Sequence, residues 1–397
     1  MLLDRLNVSQ IRLYNKKRKP MPYRIIHCSD THLGYSDIER TGPDGINLRE
    51  ADIYAAFTRL IDRIIDIKPD AVVHSGDLFH RPSPANRPMV ECLTQLKRLS
   101  NEGIPCIIIA GNHSTPRSAY TSPILKALSA VSGVYPFFGQ QYETLKLGNA
   151  VFHALPHIND DQLFFAELDK MKPVPGAVNI ALLHSSVGKK YMMDEFGERV
   201  IDASYAEKLS SFNYTALGHW HGFQSVEKFT NAFYSGSTER LSDRECAQQK
   251  GFIIADIDAD KTAVSFEALP VRPWIRIDIE DCGVKTGDII AGEIGRSAAS
   301  LNNAIVSVYL QGLRQDQGCG CTNADINALF PAAAAVLIRR IYEGGSFSHA
   351  VDASQQSRIE DLFEEYAASS LEGDTAKDQL IALGRSYFTR FDMERGN

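Results

Sequence analysis

The sequence predicts a layered α/β fold: a four-layer α/β/β/α sandwich with a small α/β capping domain and a C-terminal helical tail. Three observations carry this reading. Apolar strand-like runs alternate with helix-periodic stretches over the first 140 residues. From residue 143 onward short strands follow one another closely. Polar motifs rich in Asp, Asn and His sit at the ends of the apolar runs, where open sheets place their sites.

In order, strands are expected near 24–29, 71–75 and 105–110, separated by helices near 49–66 and 86–100, a parallel arrangement. Strands near 144–147, 150–155, 179–183, 213–217, 223–227, 231–235, 251–257 and 262–268 then make a second sheet packed on the first. Pro270 and Pro273 mark a boundary. Beyond it, strands over Trp274–Ile279 and Ala304–Leu310 and helical patterns over Gly287–Ser297 and Ala324–Glu343 suggest a βαβα cap. A Gly/Ser-rich break at Gly344–Ser348 precedes two amphipathic helices, Ser354–Ser369 and Thr375–Phe391. Their apolar faces carry Leu362, Phe363 and Tyr366, then Leu380, Leu383, Tyr387 and Phe388. The expected division is therefore a flexible segment 1–21 with the basic cluster Lys16–Lys19, a catalytic sandwich 22–270, a cap 271–345 and a tail 350–397.

At 397 residues and 44% hydrophobic content the chain can bury two cores. No apolar run approaches the roughly 20 residues a bilayer requires, and the start lacks a signal-peptide core, so no membrane segment is expected. Seven scattered cysteines, an odd number, point to a reducing, cytoplasmic interior. Cys319-Gly320-Cys321 reads either as a metal clip or as two loop thiols. The net charge of −7 argues against a protein that coats nucleic acid non-specifically but leaves room for local basic groups. Arg81, Arg87, Arg117, Lys189, Lys190, Arg240 and Arg244 fall in loops after motif-bearing strands; Arg81, Arg117 and Arg240 are the candidates for contact with a phosphate backbone.

Five motifs carry the chemistry: Asp30-Thr31-His32, Gly76-Asp77, Gly111-Asn112-His113, His184 and Gly218-His219-Trp220-His221. Leaving His113 aside, they offer two carboxylates, one amide oxygen and four imidazoles. This mixed O/N set suits manganese, iron or zinc and is too imidazole-rich for magnesium alone. Seven donors exceed what one ion needs. If one carboxylate is shared, two ions each receive four protein ligands, the arrangement used for in-line displacement at phosphorus. Asp77 is the natural shared ligand, because it lies between the Asp30/His32 and Asn112/His113 pairs and follows a glycine that permits close backbone approach.

These residues resemble the calcineurin-like metallophosphoesterases, with their D-x-H, G-D, G-N-H-[DE], H and G-H-x-H signature. The longer strings HCSDTHLG, HSGDLFHRPSP, GNHSTPR, LLHSSV, ALGHWHG and YSGSTERLS are similar to those of SbcD-type double-strand-break repair nucleases and their archaeal and eukaryal counterparts, closely over 22–270. The resemblance implies a metallophosphoesterase sandwich and two divalent cations, most commonly manganese. Asp30, His32, Asp77 and His221 would hold one ion; Asp77, Asn112, His184 and His219 would hold the other. It further implies a DNA nuclease acting on duplex ends and hairpins, an SbcC-type ABC ATPase partner and a homodimer formed through helices such as 86–100 and 118–130. His113, outside the ligand set, is the candidate to protonate the leaving oxygen. His80 matches a histidine that helps place the phosphate, or is a loop residue. Ser114 departs from the family pattern: a carboxylate there would bond the His113 ring and raise its basicity. The tail helices either pack on the chain itself or dock on the ATPase coiled coil. The competing functions are another phosphodiesterase, acting on nucleotides or small phosphoesters, and a metal-free scaffold.

Overall fold

The structure is a computed structural model. It describes residues 22–343 except 117–120, 194–196, 259–260, 298–300 and 315–319, and beyond them residues 363, 366–367, 379–385 and 387. The basic N-terminal cluster, Arg117, Cys319 and most of the two tail helices lie outside these residues. The chain divides into two compact units, Met1–Glu343 and Gly344–Asn397.

The first unit begins with β1 (Tyr23–Cys28), α1 (Leu48–Ile67), β2 (Ala71–His74), α2 (Asn86–Asn101), β3 (Cys106–Ile109) and β4 (Val134–Phe137). Helix α1 starts where the Asn47 side chain accepts from the Arg49 and Glu50 amides, and stops at Lys68 in a left-handed conformation. Its Ile53, Phe57, Leu60, Ile61 and Ile64 recur at helical spacing and bury one face; Cys92, Leu96 and Leu99 of α2 do the same.

There follow β5 (Glu143–Leu147), β6 (Ala150–Leu155), α3 (Asp161–Lys170), β7 (Val178–His184), β8 (Ser186–Val187), β9 (Val200–Ile201), α4 (Ala206–Ser210), β10 (Tyr214–Gly218), β11 (Gln224–Ser225), β12 (Ala232–Tyr234), β13 (Gly251–Ile257) and β14 (Thr262–Ala268). Two six-stranded sheets result, ordered β14-β13-β1-β2-β3-β4 and β11-β12-β10-β7-β6-β5. Their facing sides share one apolar layer with Ile25, Val73, Ile107, Phe152, Ile180 and Ala216. α1 and α2 cover the outer face of the first sheet, and α3 and the Leu209–Phe212 segment that of the second. The four-layer α/β/β/α sandwich expected from sequence is present, with one correction: β13 and β14, expected in the second sheet, join the first, because β13 pairs antiparallel with β1. Within it β1, β2 and β3 run parallel, as do β7 and β10, so each sheet lines up its motif-bearing strand ends.

β15 (Trp274–Ile279), α5 (Gly287–Arg296), β16 (Ile305–Leu313), α6 (Asn323–Ala328) and β17 (Ala335–Tyr342) complete this unit, the three strands forming a parallel sheet. The helix expected over Ala324–Glu343 is corrected here. Pro331 ends the helical stretch, and in the strand Ala335–Tyr342, rich in apolar and β-branched residues, Ala335–Arg340 pairs residue for residue with Ile305–Leu310. Sequence also missed α3, which the Asp160 side chain caps at the Leu163 amide. Arg272 clasps Asp52 through two bonds of 2.7 Å, and Trp274 sits with Ile38, Ile305 and Ala335 in a small core, fixing the third sheet against the sandwich.

In the second unit the Phe363 ring lies on Gly384, where a Cβ would stand 2.2 Å from the ring. Tyr366, Leu380, Leu383 and Tyr387 are exposed. No helix among the described residues is long and apolar enough to cross a membrane.

Candidate metal centre

All seven expected ligands lie at the C-terminal ends of parallel strands: Asp30 and His32 after β1, Asp77 after β2, Asn112 after β3, His184 closing β7, and His219 and His221 after β10. The loops are laced together by their backbones. Asp30 N donates to Gly76 O (3.1 Å), His32 N to Asp77 O (3.0 Å) and Leu33 N to Leu78 O (2.9 Å). The fold holds these turns in unfavourable geometry: Asp30, His32, Asp77 and His219 have φ of 50°, 48°, 52° and 97°. Side chains rarely accept the left-handed region, at about 1–3 kcal/mol each, and such strain concentrates at functional sites.

The motif glycines are required by contact. A Cβ on Gly76 would lie 2.1 Å from His184 Nδ1, one on Gly111 2.2 Å from Asp77 Oδ1, and one on Gly218 2.1 Å from Ser75 O. The glycine beside each ligand thus makes room for a neighbouring ligand or its loop.

Ligand atoms of Asp30, His32 and His221 lie within 4.8 Å of one another, as do those of Asp30, Asp77 and His184. His184 Nε2 stands 3.0 Å from both Asp77 Oδ2 and Asn112 Oδ1. Its Nδ1–H donates to Ser75 O at 2.8 Å, which fixes the tautomer that presents Nε2 to these oxygens. The amide of His219 donates to both Asp30 oxygens at 3.2 Å, so this strand end from the second sheet closes on the first.

The residues from Tyr23 to Phe223 match the model of the calcineurin-like phosphoesterases. The chain belongs to this family. It is similar to three archaeal proteins named DNA double-strand break repair protein Mre11. That of Sulfurisphaera tokodaii is 32% identical over 203 residues, covering 50% of this chain and 49% of the relative. That of Methanococcus maripaludis is 28% identical over 261 residues, 63% and 67% of the two lengths. That of Halobacterium salinarum is 27% identical over 344 residues, 83% and 81%. The chain thus spans about half the length of the first of these relatives.

Divalent-metal binding is a property of the calcineurin-like phosphoesterase family, and the donor chemistry here fits it. Buried His32 Nε2 meets no hydrogen-bonding partner among the described residues, as an imidazole aimed at a cation would. Each ring of the G-H-W-H motif is held by a carboxylate at one nitrogen: His219 Nε2 by Glu198 (2.8 Å) and His221 Nδ1 by Glu245 (3.0 Å). Such partners orient ligating imidazoles and raise their basicity. Burial alone would push both carboxyls up. Bonds from His219, Ser186 and the Met193 amide override it for Glu198, and the charges of His221 and Lys250 do so for Glu245, each ending near 2. Sequence reading missed Glu198, Glu245 and the buried Lys250, which bonds Glu245 at 2.5 Å. No local motif marks them, because they meet their histidine partners across sequence separations of 21 to 29 positions.

The metal-free electrostatics are those of carboxylates and imidazoles standing in for a cation. Burial raises Asp30, and Asp77 beside it adds to the rise. Asp77 itself, despite burial, is held well below the usual range by His184, His113 and His32. His184 is the counterpart: burial lowers it, yet Asp77 lifts it to about 9.

His113 sits beside this cluster. Its amide donates to Asp77 Oδ1 (3.0 Å), and its Nδ1–H donates to the His80 carbonyl (3.0 Å). The carbonyl thus orients the ring, and Ser114, which follows His113 in the chain, is buried. His80 stacks on His113 with ring centres 5.2 Å apart and places its Nδ1 3.3 Å from His32 Nδ1. His32, His80 and His113 also form a three-imidazole group with ligand atoms within 4.8 Å.

Of the basic candidates, Arg81 is exposed on a groove of about 650 Å³ that begins at His80 and Leu33 and runs past Pro84, Arg87 and Pro88. Arg240 points elsewhere: its guanidinium donates to the carbonyls of Glu245 (3.3 Å), Arg272 (3.0 Å) and Gln248 (3.0 Å) and pins those turns together. Arg117 lies outside the described residues.

Proposed function

We propose that the chain is a two-cation DNA nuclease that hydrolyses phosphodiester bonds at duplex ends and hairpins in double-strand-break repair. The observation that carries this reading is the gathering of Asp30, His32, Asp77, His184 and His221 into two close donor groups at parallel strand ends, with Asn112 Oδ1 3.0 Å from His184 and the His219 ring beside it, in a chain similar along half to four-fifths of its length to proteins named for break repair. Asp30, His32, Asp77 and His221 hold one cation, and Asp77, Asn112, His184 and His219 the other, manganese being the best match to the donor set, ahead of iron or zinc. When bound, these cations neutralise charge at phosphorus and acidify water at neutral pH.

The chain's own residues do the rest. His113, its ring oriented by Nδ1–H donation to the His80 carbonyl, carries the proton delivered to the leaving oxygen. His80 supports that ring by stacking and stands where a phosphate enters from the groove. Arg81 takes a backbone phosphate of the same strand as a charge-assisted contact.

The whole assembly belongs to the same reading: a cytoplasmic homodimer paired through α2 and the segment after it, with an SbcC-type ABC ATPase seated on the tail. Exposed Val90 on α2 and the exposed Tyr366, Leu380, Leu383 and Tyr387 of the tail support it.

Incubation with manganese and a panel of linear duplex, single strand, hairpin and p-nitrophenyl diester tests the reading. Cleavage of DNA ends and hairpins is expected. Turnover of the small diester with DNA left intact would move the chain to a small-molecule phosphodiesterase, and no turnover with bound metal would make it a scaffold.

A further inference from the structure

Between the sandwich and the three-stranded sheet runs a single 3-10 turn, Asp243–Glu245, whose two acids point in opposite directions. Asp243 faces the sheet. Its Oδ2 accepts from the Tyr309 hydroxyl of β16 at 2.6 Å and lies 3.9 Å from Arg339 Nε of β17. Tyr309 is itself held, with the Arg276 guanidinium of β15 4.0 Å over its ring. Glu245 faces the metal centre. Oε1 receives His221 Nδ1 at 3.0 Å, while Oε2 receives Lys250 Nζ at 2.5 Å and the Leu241 amide at 3.1 Å.

The grip on His221 is double. Lys250, tied to Glu245, also donates from Nζ to the His221 carbonyl at 2.8 Å, so ring and backbone are fixed by one ion pair. Every member of this chain of contacts except Tyr309, Arg276 and Arg339 is buried, where a charge-assisted bond is strong and a lost partner costly. Arg240 stiffens the turn by clasping the Glu245 and Gln248 carbonyls, so a shift at Asp243 is passed to Glu245 instead of being absorbed.

We propose that this turn is a positioning link: Glu245 orients His221 as a ligand, and Tyr309, acting through Asp243, sets Glu245. The position of the three-stranded sheet thereby tunes how tightly the cation at His221 is held. This rests on the two-cation reading above.

Manganese binding to the full chain, followed by calorimetry and by the electron paramagnetic resonance of free ion, tests it without any turnover. Glu245→Gln should weaken one of two manganese sites about ten- to a hundredfold. Tyr309→Phe should weaken the same site about three- to tenfold and leave the other unchanged. The double variant should bind no more weakly than Glu245→Gln alone, because both changes act on one path. Asp243→Asn, which keeps the shape of the side chain, serves as a second route to the same result should Tyr309→Phe lower the unfolding midpoint in EDTA. Unchanged affinity in Tyr309→Phe and Asp243→Asn, or additive losses in the double variant, would overturn the link while leaving the metal centre standing. A wild-type chain that binds no manganese would overturn both.

Discussion

Asp77 receives the influence of three imidazoles, those of His184, His113 and His32, on one buried carboxylate, and its backbone holds φ at 52° to stay there. Replacing it with alanine should remove hydrolysis and drop bound manganese from two ions per chain to one or none, read by elemental analysis. Asp30 is the natural control, because it belongs to both close ligand groups. Should Asp30→Ala empty both sites while Asp77→Ala empties one, the shared ligand is Asp30. His113→Gln should leave metal content and DNA affinity near wild type while turnover falls roughly a hundredfold or more, the loss expected of a general acid; metal lost with it would make His113 a ligand. The candidate ligands were legible in sequence because each is a specific residue type at a strand end, and Asp77, Asn112 and His219 each follow a glycine that sterics demand. Glu198, Glu245 and Lys250 were not, since a carboxylate that orients a ring from a distant loop leaves no local pattern.

At the scale of elements, β1 and β10 meet through His27, which bonds Tyr214 Oη at 2.9 Å across the sandwich and Ser75 Oγ at 2.8 Å within its own sheet. Tyr214→Phe should cost about 1–3 kcal/mol in urea unfolding, the range for a buried bond with one partner left unpaired. Burial pushes both His27 and His74 down to about 3. Their folded pKa lies below the unfolded value near 6.5, so the unfolded chain binds their protons first. The stability they contribute is complete above pH 6.5 and lost as pH falls toward 3. In EDTA the urea midpoint should therefore decline between pH 7 and 5, and His27→Gln should flatten that decline; an unchanged slope would put the acid sensitivity elsewhere. The strands that reach the site were readable from continuous apolar runs, because parallel strands buried on both faces tolerate little else. Ala335–Tyr342 was misread because its alanine-rich approach mimics a helix, and only pairing with β16 decides otherwise.

For the whole molecule, all proposed ligands lie before residue 222, and the tail forms a unit of its own. Deleting residues after about 350 should leave manganese-dependent cleavage of simple ends intact and abolish stimulation by ATP with an SbcC-type partner. A pull-down on the partner's coiled coil checks this; undiminished capture of the truncated chain would return the tail's apolar faces to its own unit.

The donors gathered in the two close groups come from both sheets, Asp30, His32 and Asp77 from one, His184 and His221 from the other. They are gathered from places up to 191 positions apart along the chain. A centre assembled across such loops cannot exist until the two sheets have docked, so the cation has nothing to bind in the nascent or half-folded chain and arrives as the last piece. Once there it acts as a latch between the layers: at a hundredfold excess over its dissociation constant a ligand specific to the native state adds about 2.7 kcal/mol. Chelation should consequently lower the melting temperature of the sandwich as a whole, and metal starvation would expose the chain to proteolysis as well as silence it.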